Sequence, residues 1–184
     1  MSGILSDTDI KDELSRELGI EPFAESNLQP ASYDLTLGNE FERERGGDRR
    51  RPAQSIESGP ADRRSVTTEK IEIQPGEFVL GHTEETVSLP SHITGEVKGR
   101  SSVGRLGLIP HTAGWIDPQF KGQITLEFVN HSSYPVSIES RQRIAQIVFC
   151  YTNNPVETGY GEKDDAKYQG QSGVTASRIE EDVQ

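Results

Sequence analysis

The sequence predicts an all-β protein, a sandwich or jelly roll preceded by one short N-terminal helix. Three observations carry that expectation. A helical period occurs only near the start of the chain, eight short β-branched runs follow it, and 18 Gly and 10 Pro punctuate the intervals between them. The length of 184 residues is that of one compact domain over 1–184, long enough for a real core.

The helix is expected first. Ser6 or Asp7 stands as an N-cap before Ile10, Leu14 and Leu18, a four-residue spacing that puts three apolar side chains on one face, and Gly19 ends it. The strands expected after it are Ser32–Leu37, Lys70–Ile73, Glu77–Gly81, Thr86–Leu89, Ile93–Lys98, Gln123–Asn130, Pro135–Ile138 and Arg143–Tyr151. Residues 42–64 break this pattern, with seven arginines, five acids and only Ala53, Ile56 and Ala61 as apolar residues. Such a stretch supplies no core and reads as a solvated, Arg-rich polar loop. Its interspersed acids dilute the charge that a nucleic-acid arm needs. The tail after Arg178 is acidic and expected to fray.

Composition excludes several classes. The single cysteine, Cys150, closes no intrachain disulfide and builds no Cys-rich zinc site. No apolar run approaches the ~20 residues of a membrane helix, and the N-terminus lacks a basic region followed by an apolar stretch. A soluble, unexported, cytoplasmic protein is expected. The net charge of -11 argues against a broad grip on nucleic acid, so an anionic ligand has to find a local basic pocket. Six lysines against 13 arginines, with abundant acid, fit equally a protein of concentrated salt and an ordinary acidic cytosolic one.

Three segments could carry chemistry. In Gln123–Asn130 the strand period sets Ile124, Leu126 and Phe128 on one face and Thr125, Glu127 and Val129 on the other. Glu127 thus has semi-apolar neighbours, and enclosing that face would raise its carboxyl toward the range of a general acid/base. Gly99-Arg-Ser-Ser-Val-Gly-Arg105 combines two guanidiniums, two hydroxyls and two glycines, a composition suited to phosphate, though it is neither a Walker A sequence nor a dinucleotide fingerprint. His111-Thr-Ala-Gly-Trp-Ile-Asp-Pro-Gln-Phe120 sets Asp117 between an aromatic residue and a turn, so that two carboxylates near one pocket could divide roles. A Ser-His-Asp hydrolase built on Ser101, His111 and Asp117 is a competing reading, but the G-x-S-x-G elbow is missing.

Taken in order, Pro30-Ala-Ser-Tyr-Asp-Leu35, Gly99–Arg105, Thr112-Ala-Gly-Trp-Ile-Asp-Pro118, Leu126-Glu-Phe128 and Ala166-Lys-Tyr-Gln-Gly-Gln171 resemble the dCTP deaminase family of the dUTPase-like superfamily. The resemblance implies a distorted β-barrel or jelly roll, a homotrimer with active sites between subunits, and hydrolysis of dCTP at cytosine C4. It implies magnesium accompanying the triphosphate, with no metal ligands among the protein side chains. It also raises dTTP as a feedback inhibitor. Zinc is not expected: His82-Thr-Glu84 imitates half of the zinc-deaminase signature, but the paired cysteines are missing. By position, Glu127 matches the general acid/base. Arg100, Ser101, Ser102, Val103, Gly104 and Arg105 match the phosphate loop, Asp117 the residue beside the deoxyribose, and Thr125 and Leu126 the main-chain or side-chain contacts with the base. Gln146, Tyr160, Lys167 and Gln171 match the remaining triphosphate contacts, the last three on a C-terminal lid at about 160–178. Gly114-Trp115 resembles the bifunctional members that go on to dUMP and diphosphate. Leu108-Ile-Pro-His-Thr112 is one residue shorter than the family pattern, which puts the register of Ala113 and Gly114 in question. The alternatives are a deaminase that stops at dUTP, a dUTPase, a non-catalytic nucleotide-binding module and a β-sandwich interaction protein.

Overall fold

The computed structural model describes residues 3–44, 63–111 and 114–182. In chain order its elements are β1 (Gly3–Ile4), α1 (Asp7–Leu14), β2 (Gly19–Glu21), β3 (Leu28–Gln29), β4 (Ser32–Thr36), β5 (Glu40–Glu44), β6 (Arg63–Thr67), β7 (Lys70–Ile73), β8 (Phe78–Ser88) and β9 (Ile93–Gly99). There follow α2 (Ser101–Gly104), β10 (Leu108–His111), β11 (Trp115–Ile116), β12 (Lys121–Asn130), β13 (Val136–Glu139) and β14 (Arg143–Tyr151). The fold is all-β and jelly-roll-like. One sheet runs β11-β9-β14-β4-β3 with β1 added on β14, a second runs β10-β12-β8-β5-β6 with β2 added on β8, and β13 pairs with β7. Among the described residues both sheet orders end on open edges, so the strands do not close into a barrel.

Alternation explains the core. Leu126 and Phe128 of β12, Val79 of β8, Phe41 of β5, Tyr33 and Leu35 of β4, and Ile147 and Phe149 of β14 are all essentially without solvent contact. Each occupies one parity of its strand. At Gly81 a Cβ would lie 3.0 Å from Phe128 and 3.3 Å from Phe41, so the two rings meet over the position where a side chain is missing.

Ser6 is the N-cap. Its side chain accepts from the Asp9 N–H, and the Asp9 carboxylate accepts from the Ser6 N–H, which forms a capping box. The helix stops at Leu14, a turn earlier than its apolar spacing predicts. The N–H groups of Arg16, Glu17 and Leu18 all converge on the Glu13 carbonyl and wind the chain into a tight turn. Gly19 then enters β2 opposite Ser88, whose Oγ would stand 2.2 Å from a Cβ at that position.

The segments Glu77–Gly81 and Thr86–Leu89, expected as separate strands, are one strand. The polar run between them is held inside the sheet. His82 is bridged between the Thr83 carbonyl (2.8 Å) and the Glu40 N–H (3.4 Å). The Thr83 hydroxyl donates to the Glu85 carbonyl and accepts from Ile124 N–H, and Glu85 accepts from the N–H and hydroxyl of Thr36 at 2.9 and 2.8 Å. Each buried polar group therefore has a partner, which is what lets a polar sequence continue a buried strand.

Residues 42–44 and 63–64 are strand, not loop: β5 and β6 pair antiparallel with Glu42 opposite Ser65 and Glu44 opposite Arg63. Arg43 supports the hairpin by donating to Glu77 at 2.8 Å and to the Glu72 carbonyl at 3.1 Å. The remainder of the expected loop, 45–62, lies outside the described residues.

Candidate active site

On β12, Glu127 pairs with Leu80 of β8, and Val129 pairs with Phe78. The strand period puts Thr125, Glu127, Leu80 and Phe78 on the sheet face opposite Leu126, Phe128 and Val79. That face floors a cavity of about 400 Å³, within the size range of small-molecule sites. Its walls come from distant parts of the chain: Gly114, Trp115, Ile116 and Asp117 on one side, and Tyr160, Tyr168, Gln171 and Thr175–Ser177 on another.

The β11 wall is fixed by backbone pairing of Trp115 and Ile116 with Glu96 and Gly95, and by the Thr94 hydroxyl donating to the Ile116 carbonyl at 2.7 Å. The exposed Trp115 indole donates to Asp117 at 3.2 Å, which fixes the direction of that carboxylate at the cavity mouth. The C-terminal wall lies along β12. Gln123 N–H donates to the Gln171 carbonyl (3.0 Å), the Gln171 side-chain amide donates to the Gln123 carbonyl (2.6 Å), and the Thr175 N–H donates to the Thr125 hydroxyl (3.2 Å). Tyr160 packs edge-on against Phe120 with ring centres 5.8 Å apart, and its hydroxyl accepts from the Tyr168 N–H.

Two lining residues carry a buried side-chain atom with no hydrogen-bond partner: Nε of Arg63 and Oε1 of Gln171. Buried polar groups are rarely left unpaired, so a donor and an acceptor held unsatisfied in one cavity mark it as built for a polar ligand.

Of the residues singled out from sequence, the structure brings together Glu127, Thr125, Asp117, Gly114, Trp115, Tyr160 and Gln171. The side chains of Leu126 and Val103 are instead buried in the hydrophobic core, because strand parity turns Leu126 inward and Val103 anchors α2. Arg100, Ser101, Ser102, Gly104 and Arg105 do not line the cavity of the same chain. Ser101, Ser102, Gly104 and Arg105 are exposed, and Ser101 is thereby separated from the cavity that Asp117 lines. Arg100 is drawn elsewhere: its Nε donates to the buried carboxylate of Asp34 at 3.2 Å and its Nη1 to the Arg143 carbonyl at 3.0 Å. Arg143 Nη1 also donates to Asp34, at 3.3 Å. Asp34 thereby ties Pro30–Leu35 to the Gly99–Arg105 segment. Gln146 lies half-buried on β14 between Asp34 and Lys98, outside the cavity. Lys167 is also outside it, with its carbonyl accepting from Arg178. Thr112 and Ala113, in the shorter loop, lie outside the described residues.

Sequence reasoning missed Arg63 and Phe78. The guanidinium carbon of Arg63 lies 5.0 Å from the centre of the Phe78 ring, a cation–π contact inside the cavity. The signal that would have found it is the alternation of β6, hidden within an Arg-rich segment with no apolar period. Tyr168 and Thr175–Ser177 were also missed as individual residues, although they fall in the segment expected to close over a ligand.

The sequence model of the dCTP deaminase-like family matches residues 4–152. A "dCTP deaminase, dUMP-forming" from Dictyoglomus turgidum is 44% identical over 186 residues, covering 96% of this chain and 94% of its own. A "dCTP deaminase" from Natronomonas pharaonis is 41% identical over 196 residues, covering 97% and 96%. The crystal structure of the 2'-deoxycytidine 5'-triphosphate deaminase from Agrobacterium tumefaciens shares the fold, with a TM-score of 0.64 at 24% identity over 82% of this chain. This chain spans about half of that longer protein, 49% of its length. With a family match over most of its residues and relatives of this similarity from end to end, the chain belongs to the dCTP deaminase-like family.

Proposed function

We propose that this protein hydrolyses dCTP, first at cytosine C4 and then at the α-phosphate, giving ammonia, dUMP and diphosphate. The observation that carries the reading is the position of Glu127 on the floor of a cavity whose other walls hold Asp117, Gln171 and the Gly114-Trp115 pair. Relatives named dUMP-forming, at 44% identity across the chain, support the two-step outcome.

In the first step Glu127 takes a proton from a water attacking C4. The same carboxyl returns it to the amino group, the C4–N bond breaks, and ammonia leaves with dUTP formed. In the second step another water attacks the α-phosphate in line with the departing diphosphate, a reaction governed by positioning and charge. Gly114 leaves space for that water, and Asp117, directed by Trp115, faces the deoxyribose. The segment 160–178 acts as the lid, excluding water and strengthening the electrostatics within.

The exposed Arg100–Arg105 segment serves the cavity of a neighbouring copy in a homotrimer, with Asp34 presetting Arg100. Leu106 and Ile109, beside that segment, are 60% and 40% exposed in the single chain, which suits a surface covered by another subunit. Magnesium accompanies the triphosphate. The donor set proposed for the ion is the phosphate oxygens and water. No described helix is long and apolar enough to cross a membrane. The setting proposed is the cytoplasm, with dTTP as a feedback inhibitor.

The test is incubation of the purified protein with dCTP and magnesium, with nucleotides resolved by chromatography and ammonia and diphosphate assayed. Equal amounts of dUMP, ammonia and diphosphate without accumulated dUTP are expected. Ammonia with dUTP alone would reduce the function to deamination, the activity that the Natronomonas pharaonis relative's name states. Unchanged dCTP would overturn the proposal.

A further inference from the structure

Arg63 belongs to none of the five segments that carry the family resemblance, yet it reaches into the cavity. From β6 its side chain crosses β5 and lies over Phe78 of β8, with Nε buried and unpaired. Among the described lining residues no other Lys or Arg is present. Phe78 pairs with Val129, two residues beyond Glu127 on the same face, or about 7 Å along the strand. Asp117, Tyr160 and Phe120 lie toward the opposite, N-terminal end of β12. The cavity is thus ordered with Asp117 at one end, Glu127 in the middle and the Arg63 guanidinium at the other.

This inference rests on the nucleotide reading above. With the sugar at Asp117 and C4 at Glu127, the group that faces Arg63 is the substituent on C4. A guanidinium only donates hydrogen bonds. The amino group of cytosine is itself a donor there and offers it nothing, whereas the 4-oxygen of uracil is an acceptor. We infer that Arg63 is a substrate-contacting residue that donates to the 4-oxygen of the uracil nucleotide formed by deamination, holding that intermediate in place for the second hydrolysis.

The test uses Arg63→Met, which keeps an unbranched side chain over Phe78 and removes every donor, and Arg63→Lys as a milder second variant, with melting curves for both. In a Glu127→Gln background, which slows deamination, affinities for the α,β-imido analogues of dCTP and dUTP, which resist cleavage at the α-phosphate, are measured by calorimetry with and without Arg63→Met. Loss of a charge-assisted hydrogen bond should weaken dUTP about tenfold or more while dCTP changes less than about threefold. With Glu127 intact, the Met variant should release dUTP from dCTP where the parent releases dUMP, and Lys should fall between them. Equal weakening of both nucleotides, or no change in either, overturns the assignment. A folded Glu127→Gln parent that binds neither nucleotide overturns the nucleotide reading itself.

Discussion

At Gly122 the C-terminal segment runs against the sheet that floors the cavity. A Cβ at Gly122 would stand 3.0 Å from the Gln171 carbonyl oxygen, 3.1 Å from its nitrogen and 3.1 Å from the Phe120 ring. Ordinary contacts need a few tenths of an ångström more. The backbone of Gly122 lies outside the left-handed region, so alanine is tolerated conformationally and the whole effect falls on its neighbours. The carbonyl and nitrogen are main-chain atoms and cannot rotate away. Gly122→Ala therefore pushes Gln171 off β12. The bonds at risk are Gln123 N–H to the Gln171 carbonyl, the Gln171 amide to the Gln123 carbonyl, and Gly170 N–H to the Lys121 carbonyl at 2.7 Å. At about 0.5–1.5 kcal/mol net each, with partial loss, the closed segment is destabilised by roughly 1–2 kcal/mol. That corresponds to about a 5- to 30-fold fall in kcat/KM for dCTP. Protease cleavage within 160–178 should rise by a similar factor, while the melting temperature stays within a few degrees, since the pairing of β12 with β8 is left in place. Wild-type kcat/KM together with wild-type protease resistance would refute the role given to this contact.

Other predictions concern charge. Burial raises the Glu85 carboxyl above the usual value near 4.5, despite the two hydrogen bonds from Thr36 that act to lower it. The folded protein then keeps this proton at pH values where the unfolded chain has lost it. The stability it contributes is complete below the unfolded value and lost as the pH rises through the folded one. Glu85→Gln should flatten the decline of urea-derived stability across that window, and an unchanged slope would contradict the assignment. Asp34→Asn leaves one acceptor for two guanidiniums. Because both arginines are partly exposed, the expected loss is only about 1–2 kcal/mol in chemical denaturation, with a raised KM for dCTP as Arg100 loses its direction. An unaltered KM would separate Asp34 from substrate binding.

The all-β class, the helix start at Ser6 or Asp7 and the burial parity of β12 were legible because each depends on local spacing: Glu127 and Thr125 face the cavity for the same reason that Leu126 faces the core. The continuity of β8 was not legible. His82, Thr83 and Glu85 read as a break, and only their partners Glu40, Ile124 and Thr36, distant in sequence, make them part of a strand. Arg63 was hidden for a related reason. In a segment dense with arginine and acid, nothing local distinguishes Arg63, whose guanidinium lies over Phe78. The separation of Arg100–Arg105 from Glu127 within one chain is likewise a property of topology, since α2 follows β9 at the end where β14 receives it, away from the face that Glu127 occupies.

The most direct test of the central claim is ammonia release from dCTP in a single turnover by Glu127→Gln, with nucleotide binding measured alongside. The account predicts retained binding of dCTP and a rate lower by about 10²–10⁴-fold, the scale of a lost general acid/base. Normal turnover by that variant would contradict it.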